Sequence, residues 1–173
     1  MTKLAMPKTD RKLIAKKTEI IAGLKKIIRT ENILDHEDEI RPFETDALSA
    51  YKQKPLVVVF PKNTKEVSKV LAYCNQHRIK VVPRGSGTGL SGGALPLADS
   101  LLLCLGKFNK IINIDYKNRC VVAQPGATNL SITQAVQDKG FYYAPDPSSQ
   151  IACSIGGNVA ENSGGIHSLK YGT

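Results

Sequence analysis

The feature that most constrains the fold is a glycine-rich segment at residues 83–93, with the sequence PRGSGTGLSGG. It lies between an apolar run at 79–82 and a second apolar run at 101–105. A flexible linker is not normally placed between two core-forming strands, so we expect this segment to be packed. Glycines permit positive φ angles and close backbone approach, which lets successive amide N–H groups point into one concavity and hold an anion.

The polar side chains of the segment suit a diphosphate. Ser86, Thr88 and Ser91 offer hydroxyl donors. Arg84 offers charge-assisted hydrogen bonds to an anion. The segment as a unit is therefore predicted to bind a diphosphate group.

Two common phosphate-binding loops do not fit the context. Gly87, Gly89 and Gly92 match the GxGxxG spacing of Rossmann folds, but that fingerprint needs a helix that starts on the loop. Here residues 94–96 lead into another apolar strand. A Walker A loop is excluded because no Lys-Ser/Thr pair follows Gly92.

A second glycine-rich stretch, SIGGNVAENSGG, occupies residues 154–165. We interpret it as a second backbone nest that would line the opposite side of a long cofactor, with amides from Asn158 and Asn162. A purely structural role is equally open for single residues, since Asn158 can simply satisfy a helix start and Asp146 can cap a turn.

The rest of the chain alternates strands and helices. Asn63 and Glu66 have the spacing of a capping box, which predicts a helix over 63–77. A second helix is predicted over 129–139, ended by Gly140. Apolar runs and turn residues predict strands at 56–60, 79–82, 101–105, 111–114 and 120–124.

The net charge of +9 is concentrated at the N-terminus. Residues 1–30 hold nine Lys and Arg against two acids, and their apolar residues recur at helical spacing, which predicts one basic amphipathic helix over 10–30. No aromatic residue occurs there, which argues against a nucleic-acid partner. Residues 31–50 are acidic and irregular and are predicted to form a linker or a short helical cover.

Cysteine and hydropathy patterns exclude several classes of protein. The four cysteines form no CxxC pair, so we predict no metal site and expect them to be buried small hydrophobes. No apolar run approaches the roughly 20 residues of a membrane span, and no signal peptide is evident. We therefore expect a cytoplasmic location, with the inner face of the membrane as a peripheral site.

Several motifs occur in one order: PRGSGTGLSGG, QPGATN at 124–129, PDPSS at 145–149, SIGGNVAENSGG and KYGT at the end. Over about residues 40–173 this resembles the FAD-linked oxidases with a vanillyl-alcohol-oxidase, or PCMH-type, FAD-binding domain. The resemblance implies an α+β fold of two subdomains, the second incomplete. We expect an N-terminal segment at 1–50 and a partial FAD-binding domain at 51–173, divided near residue 105.

In such proteins the first loop holds the FAD diphosphate, and the later stretches flank the flavin and its ribityl chain. Covalent relatives often carry a histidine in the first loop, where this chain has Thr88, so we predict non-covalent FAD. The resemblance implies these FAD-binding residues: Arg84, Gly85, Ser86, Gly87, Thr88, Gly89, Gly92, Gly93, Pro125, Gly126, Pro145, Asp146, Ser148, Ser149, Gly156, Gly157, Asn158, Asn162, Ser163 and Gly164.

Within that family the chain is most similar to the FAD-linked subunit of glycolate oxidases and to flavin-type D-lactate dehydrogenases. This implies oxidation of a small 2-hydroxy acid by hydride transfer to FAD, with a quinone, a cytochrome or oxygen as electron acceptor. Such members are longer and carry a substrate-binding cap domain, so we expect this chain alone to turn over neither glycolate nor D-lactate.

No catalytic residue is predicted. His167 is a candidate flavin-side base, but an exposed loop histidine is the favoured interpretation; His77 is expected to end a helix and His36 to be solvated. An unfinished sheet predicts self-association or a partner subunit. The alternative is a non-catalytic FAD-binding or interaction module, truncated or split from a longer gene product, whose basic helix docks to a partner or an anionic membrane.

Overall fold

A computed structural model describes residues 6–172, and it confirms the mixed α+β class. The chain forms two compact units, one built from residues up to Pro83 with Leu90–Cys104, the other from Arg84–Gly89 with residues from Leu105 onward. No described helix has the length and apolar character needed to cross a membrane.

The helices and strands follow one another through the two units. The first unit contains α1 Arg11–Ala15, α2 Lys17–Leu24, β1 Ile33–Leu34, α3 Glu37–Ile40, β2 Val57–Val59, α4 Thr64–Gln76, β3 Lys80–Arg84, whose last residue belongs to the second unit, and β4 Ser100–Cys104. The second unit contains β5 Ile111–Asp115, β6 Cys120–Ala123, α5 Asn129–Val136, α6 Ile155–Glu161 and α7 Ser168–Tyr171. Short 3-10 helices cover Thr30–Asn32, Arg41–Phe43 and Gln137–Lys139.

The core of the first unit is a four-stranded sheet in the order β1-β2-β4-β3. Strand β2 runs parallel to β4, with Val58 opposite Leu102, and antiparallel to β1. Every residue of β2 and β4 is buried, as expected for central strands covered on both faces. Ile40 from α3 packs into the same cluster as Val58 and Leu102.

Helix α4 begins and ends at the capping residues that the sequence predicts. Asn63 accepts a hydrogen bond from the Glu66 amide at 2.9 Å and starts the helix, and His77 ends it. The Glu66 carboxylate accepts from the Lys62 amide at 2.8 Å, one residue before the position that a capping box uses. On the inner face Val70 is completely buried.

The N-terminal prediction was only partly right. The single helix expected over 10–30 is divided at Lys16, where ψ of 10° leaves the helical range, although Ile20, Leu24 and Ile28 are buried as their spacing predicts. The segment 31–50 is the second of its two predicted forms, a short helical cover, because α3 and the 3-10 helix Arg41–Phe43 lie in it and Ile40 is buried. Strand β1, which pairs with β2, was not predicted. A two-residue strand and a one-turn helix are too short to leave a periodic pattern.

Three of the four cysteines are buried as predicted: Cys74, Cys104 and Cys153. Burial raises the pKa of the Cys74 thiol to about 11, so this side chain is an unreactive core residue. Cys120 is exposed, which corrects the prediction. It lies on β6 of a two-stranded sheet, where alternate residues face solvent.

The second unit begins with the hairpin β5–β6, whose strands pair antiparallel with Asp115 opposite Cys120. Helix α5 follows, and its N-cap Thr128 accepts a hydrogen bond from the Ser131 amide at 3.3 Å. The predicted helix over 129–139 is α5 continued by a 3-10 turn. Gly140 ends that turn in the left-handed conformation, with φ of 75°.

Asp99 ties the start of α1 to the sheet. Asp99 is 1% exposed. Its Oδ2 accepts hydrogen bonds from the Lys80 ammonium at 2.8 Å and from the Asp10 amide at 2.7 Å. Burial opposes ionisation and is the largest single influence on the pKa of Asp99. The two hydrogen bonds and the Lys80 charge together outweigh it, so this pKa lies below its usual value.

We expect Asp99→Asn to lower the free energy of unfolding at neutral pH by about 1 to 3 kcal/mol, because Lys80 and the Asp10 amide lose a charged acceptor. A lowered folded-state pKa gives stability above the unfolded pKa of about 3.9, and that stability is lost as the pH falls through the folded value. Urea midpoints of the parent and the variant should therefore converge as the pH falls below about 3.9. Asp38→Asn, at an 87% exposed side chain, is the control and should change little; equal effects of the two substitutions at neutral pH would contradict the prediction.

Candidate cofactor site

The first glycine-rich loop leaves the sheet at Arg84, whose carbonyl accepts from the Leu105 amide at 2.9 Å. Gly87 has a φ of 72° and so requires glycine. The Arg84 guanidinium fills the space beside it, with Nε 2.8 Å from the ideal Cβ position of Gly87. The loop therefore carries a positive charge folded against its own backbone. As predicted, no helix begins between Arg84 and Ser100, a stretch that is described throughout.

Gly85 brings the first loop into direct contact with the second glycine-rich stretch. A Cβ on Gly85 would collide with the Ser154 Oγ and would lie 3.8 Å from the Gly157 amide nitrogen. Further along, a Cβ on Gly89 would lie 3.4 Å from the Glu161 Oε1. The two glycine-rich stretches therefore lie next to each other at these points.

The second stretch is a helix and not the backbone nest that we predicted. Ser154 is the N-cap of α6, and its Oγ accepts from the Gly157 amide at 3.3 Å. Asn162 ends the helix in the left-handed conformation, with φ of 52°. Glycines at the first turn obscure the helical pattern in the sequence, but the serine cap and the asparagine end are ordinary helix signals.

The helix start is held against the segment that precedes α5. The Gly156 amide donates to the Pro125 carbonyl and the Ile155 amide to the Ala127 carbonyl, both at 2.8 Å. A Cβ on Gly156 would lie 2.7 Å from the Pro125 Cβ, so only glycine permits this approach. On the other side of the same segment, the Gly126 amide donates to the Phe108 carbonyl at 2.8 Å.

The PDPSS stretch is fixed by side chains from distant parts of the second unit. Asn129, completely buried, donates from Nδ2 to the Pro145 carbonyl at 2.8 Å. His167 Nδ1 lies 2.8 Å from the Asp146 Oδ2. The Ser149 carbonyl accepts from the amides of residues 152 and 153, both at 2.8 Å. These contacts set the path of the chain before α6.

Two buried polar atoms have no hydrogen-bond partner among the described residues: Asn129 Oδ1 and Asn158 Nδ2. Buried polar groups are normally paired, so unpaired ones in a native fold commonly mark a water, ion or ligand position. Asn158 is 6% exposed and lies in the first turns of α6, where its amide donates to the Ser154 carbonyl. An unpaired side-chain donor in the second glycine-rich stretch suits an acceptor-rich ligand.

Eighteen of the twenty predicted FAD-binding residues fall in the second unit. They are Arg84, Gly85, Ser86, Gly87, Thr88, Gly89, Pro125, Gly126, Pro145, Asp146, Ser148, Ser149, Gly156, Gly157, Asn158, Asn162, Ser163 and Gly164. Gly92 and Gly93 fall in the first unit, where Gly92 has a φ of 74°. Of the five loop glycines that we expected to permit positive φ, only Gly87 and Gly92 adopt it.

A cavity of about 920 Å³ lies elsewhere in the second unit, against the β5–β6 hairpin. Its lining includes Tyr116, Phe141 and Tyr142, and none of the predicted FAD-binding residues. It is a largely apolar surface of the unit; Ile155 and Val159 of the second glycine-rich stretch line it, and the residues of the first loop do not.

Two residues that fix the candidate site were not predicted: Asn129 and Ser154. Ser154 carries a readable signal, since a serine three residues before Gly157 can cap a helix. His167, which we favoured as an exposed loop histidine, has a 42% exposed side chain and contacts Asp146, a contact that was not predicted. His77 and His36 agree with their predictions, as a helix end and as a 73% exposed side chain.

Comparison with known proteins finds glycolate oxidase subunits and dehydrogenases of 2-hydroxy acids. Glycolate oxidase subunit GlcD of Escherichia coli (strain K12) is 51% identical over 168 residues, which is 97% of this chain and 32% of that protein. The Bacillus subtilis (strain 168) GlcD is 44% identical, over 82% of this chain and 30% of its own length. A D-lactate dehydrogenase of Anaerostipes hadrus is 36% identical, over 85% and 31%. The chain thus spans about a third of these relatives.

Solved structures show the same fold. Alkyldihydroxyacetonephosphate synthase superposes with a TM-score of 0.80 at 21% identity, over 98% of this chain and 32% of that one. p-Cresol methylhydroxylase gives 0.76 at 21% identity, over 86% and 30%. The FAD binding domain family matches residues 55–173, which is more than half of the chain. The chain belongs to the FAD binding domain family, and FAD is its cofactor.

Proposed function

We propose that this chain is the FAD-binding portion of a flavin-dependent oxidoreductase that acts on a small 2-hydroxy acid of the glycolate or D-lactate type. The observation that carries the proposal is the packing of the loop 84–89 onto α6, with Gly85 against Ser154. The names of the relatives, glycolate oxidase and D-lactate dehydrogenase, support the substrate class. Within this proposal residues 51–173 form the FAD-binding domain and residues 1–50 an N-terminal segment.

The first loop supplies what a diphosphate needs. The Arg84 guanidinium lies beside Gly87, so a positive charge lies close to the loop amides. Ser86 and Thr88 add hydroxyl donors at the same turn. Because most of these donors belong to the backbone, the loop can bind a dinucleotide phosphate with few specific side chains. Gly89, Gly92 and Gly93 complete the proposed diphosphate loop.

The remaining proposed contacts come from the segments that meet at α6. The Asn158 side chain offers its unpaired Nδ2 donor for a polar atom of the flavin or ribityl chain. Gly156 and Gly157 leave the start of the helix without side chains. The other proposed contacts are Pro125, Gly126, Pro145, Asp146, Ser148, Ser149, Asn162, Ser163 and Gly164.

FAD, when bound, accepts a hydride from the α-carbon of the hydroxy acid and passes electrons to a quinone, a cytochrome or oxygen. The residues of this chain would bind and orient it. FAD is held non-covalently in this proposal, since Thr88 is the residue that stands where covalent relatives carry a histidine. A partner subunit and a cytoplasmic location belong to the proposal as well.

A second candidate function is a non-catalytic module that binds FAD and docks through its N-terminal helices. Lys12, Lys16, Lys25 and Lys26 are exposed, while Ile20 and Leu24 of the same segment are buried. The exposed lysines of the segment 12–26 are therefore available to an anionic surface. The two functions differ in whether the flavin of a complete enzyme is reduced by a hydroxy acid.

Gly87→Val is expected to abolish FAD retention, because a side chain at φ of 72° strains the loop and displaces the Arg84 guanidinium. The measurement is flavin absorbance that stays with the protein after desalting. Gly106→Val is the matched control in the same unit, since a Cβ on Gly106 meets nothing within 4 Å. Retention of flavin by the Gly87 variant would contradict the loop assignment.

A chimera tests whether this chain can serve as the FAD-binding portion of a hydroxy-acid oxidase. In it this chain replaces the matching first third of the E. coli GlcD relative. We expect the chimera to show glycolate-dependent reduction of an artificial acceptor, and the same chimera with Gly87→Val to show none. A chimera that retains FAD but is not reduced by glycolate or D-lactate would favour the non-catalytic module.

A further inference from the structure

One face of α6 lies beside the first glycine-rich loop. Ser154, the N-cap, occupies the space next to Gly85, and Glu161, the last residue of the helix, lies next to Gly89. Asn158 stands between them in the sequence, and positions 154, 158 and 161 have the spacing of residues that share one side of a helix. All five residues belong to the second unit. The face formed by positions 154, 158 and 161 therefore follows the loop from its start to Gly89.

Glu161 stands where a negative charge is unfavourable. Its Oε1 lies 3.4 Å from the ideal Cβ position of Gly89, so the carboxylate is next to the loop that is proposed to bind a diphosphate. It is also at the C-terminal end of α6, where the helix dipole carries a partial negative charge. Its side chain forms no hydrogen bond or ion pair with any residue in 6–172. A residue that breaks a local electrostatic rule without a compensating partner commonly marks a functional position.

A sugar hydroxyl is the ligand group that suits this carboxylate. An ionised carboxylate only accepts hydrogen bonds, and a hydroxyl group donates one. In dinucleotide-binding folds an acidic residue near the phosphate loop accepts from ribose in this way. Asn158, on the same face of α6, is 6% exposed and has an unpaired Nδ2 donor. The face thus offers a donor and an acceptor, as a chain of hydroxyl groups requires.

We propose that Glu161 is a specificity-determining residue for the cofactor, and that its carboxylate accepts a hydrogen bond from a sugar hydroxyl near the diphosphate. This rests on the proposed function, in which the first loop binds the diphosphate of FAD. The hydroxyl belongs to the adenosine ribose or to the ribityl chain, which flank the diphosphate and have the same chemistry. A charge-assisted hydrogen bond offsets the repulsion between carboxylate and phosphate. A ligand with the diphosphate but without the hydroxyl experiences the repulsion alone.

Removal of the carboxylate should weaken FAD binding. The dissociation constant of FAD from the Glu161→Ala chain should be about tenfold higher than that from the parent, because a charged acceptor is lost. Equilibrium dialysis measures it without any enzymatic assay. Repulsion alone predicts the opposite sign, since removing a negative charge from beside the phosphates would lower the dissociation constant. The direction of the change therefore distinguishes a bound hydroxyl from an unfavourable charge.

Two sets of FAD analogues identify the hydroxyl. One set lacks single hydroxyl groups of the adenosine ribose, and the other lacks single hydroxyl groups of the ribityl chain. The parent should bind the analogue without the contacted hydroxyl about tenfold more weakly than FAD. Glu161→Ala should bind that analogue and FAD alike, because removing the two partners of one hydrogen bond is not additive. The set that contains this analogue shows whether the hydroxyl is on the ribose or on the ribityl chain.

Two further variants control for charge. Glu161→Gln keeps an acceptor oxygen without the charge, so its affinity for FAD should lie between those of the parent and Glu161→Ala. Asp138→Ala removes an exposed acid elsewhere in the second unit and should leave the affinity for FAD unchanged. Circular dichroism and urea midpoints establish that each variant is folded.

Several results would overturn the inference. Tighter FAD binding by Glu161→Ala or Glu161→Gln would show that the carboxylate only repels the phosphates. Analogues that lose the same affinity in the parent and in Glu161→Ala would show that no sugar hydroxyl contacts Glu161. A parent that loses FAD when EDTA removes divalent cations would assign Glu161 to a bridging cation instead. Failure of the proposed function looks different, because neither the parent nor any variant would then bind FAD, and the inference would fall with it.

Discussion

The close approach of two backbone segments in the second unit is the constraint on which the candidate site depends. Residues 125–129 and 153–156 exchange hydrogen bonds, including Gly156 to the Pro125 carbonyl and Asn129 to the Cys153 carbonyl at 3.1 Å. Thr128 and Ser154 pair as an isolated antiparallel bridge. Because the segments meet backbone to backbone, the start of α6 has a fixed position, and any side chain at Gly156 would force them apart.

That fixed position decides what the first loop can do. Ser154 ends the bridge, caps α6 and occupies the space next to Gly85, so one residue connects the helix start to the loop. Gly85 is needed for this contact and Gly87 for its backbone conformation, which are different reasons for the same residue type. The proposed diphosphate loop therefore depends on a helix about seventy residues away in the sequence.

Local signals could be predicted from the sequence, and contacts between distant residues could not. Asn63 before α4 and Gly140 after α5 act through neighbouring backbone atoms, so their sequence context is enough to place a helix boundary. The strand β1 was missed because its two residues are defined only by pairing with Val58 and Val59. Helix α6 was missed because Gly156 and Gly157 serve tertiary packing and have low helix propensity.

The same distinction applies to the chemistry of the site. The glycine-rich segment predicts an anion site because its glycines and donors are adjacent in the chain, whereas Asp146 and His167 are 21 residues apart and no spacing rule connects them. Only the fold around α6 brings this carboxylate and this imidazole together. A histidine whose Nδ1 is held by a carboxylate has a defined tautomer and orientation. The contact also joins the PDPSS stretch to the start of α7, so side chains that no sequence rule connects hold these two distant segments together.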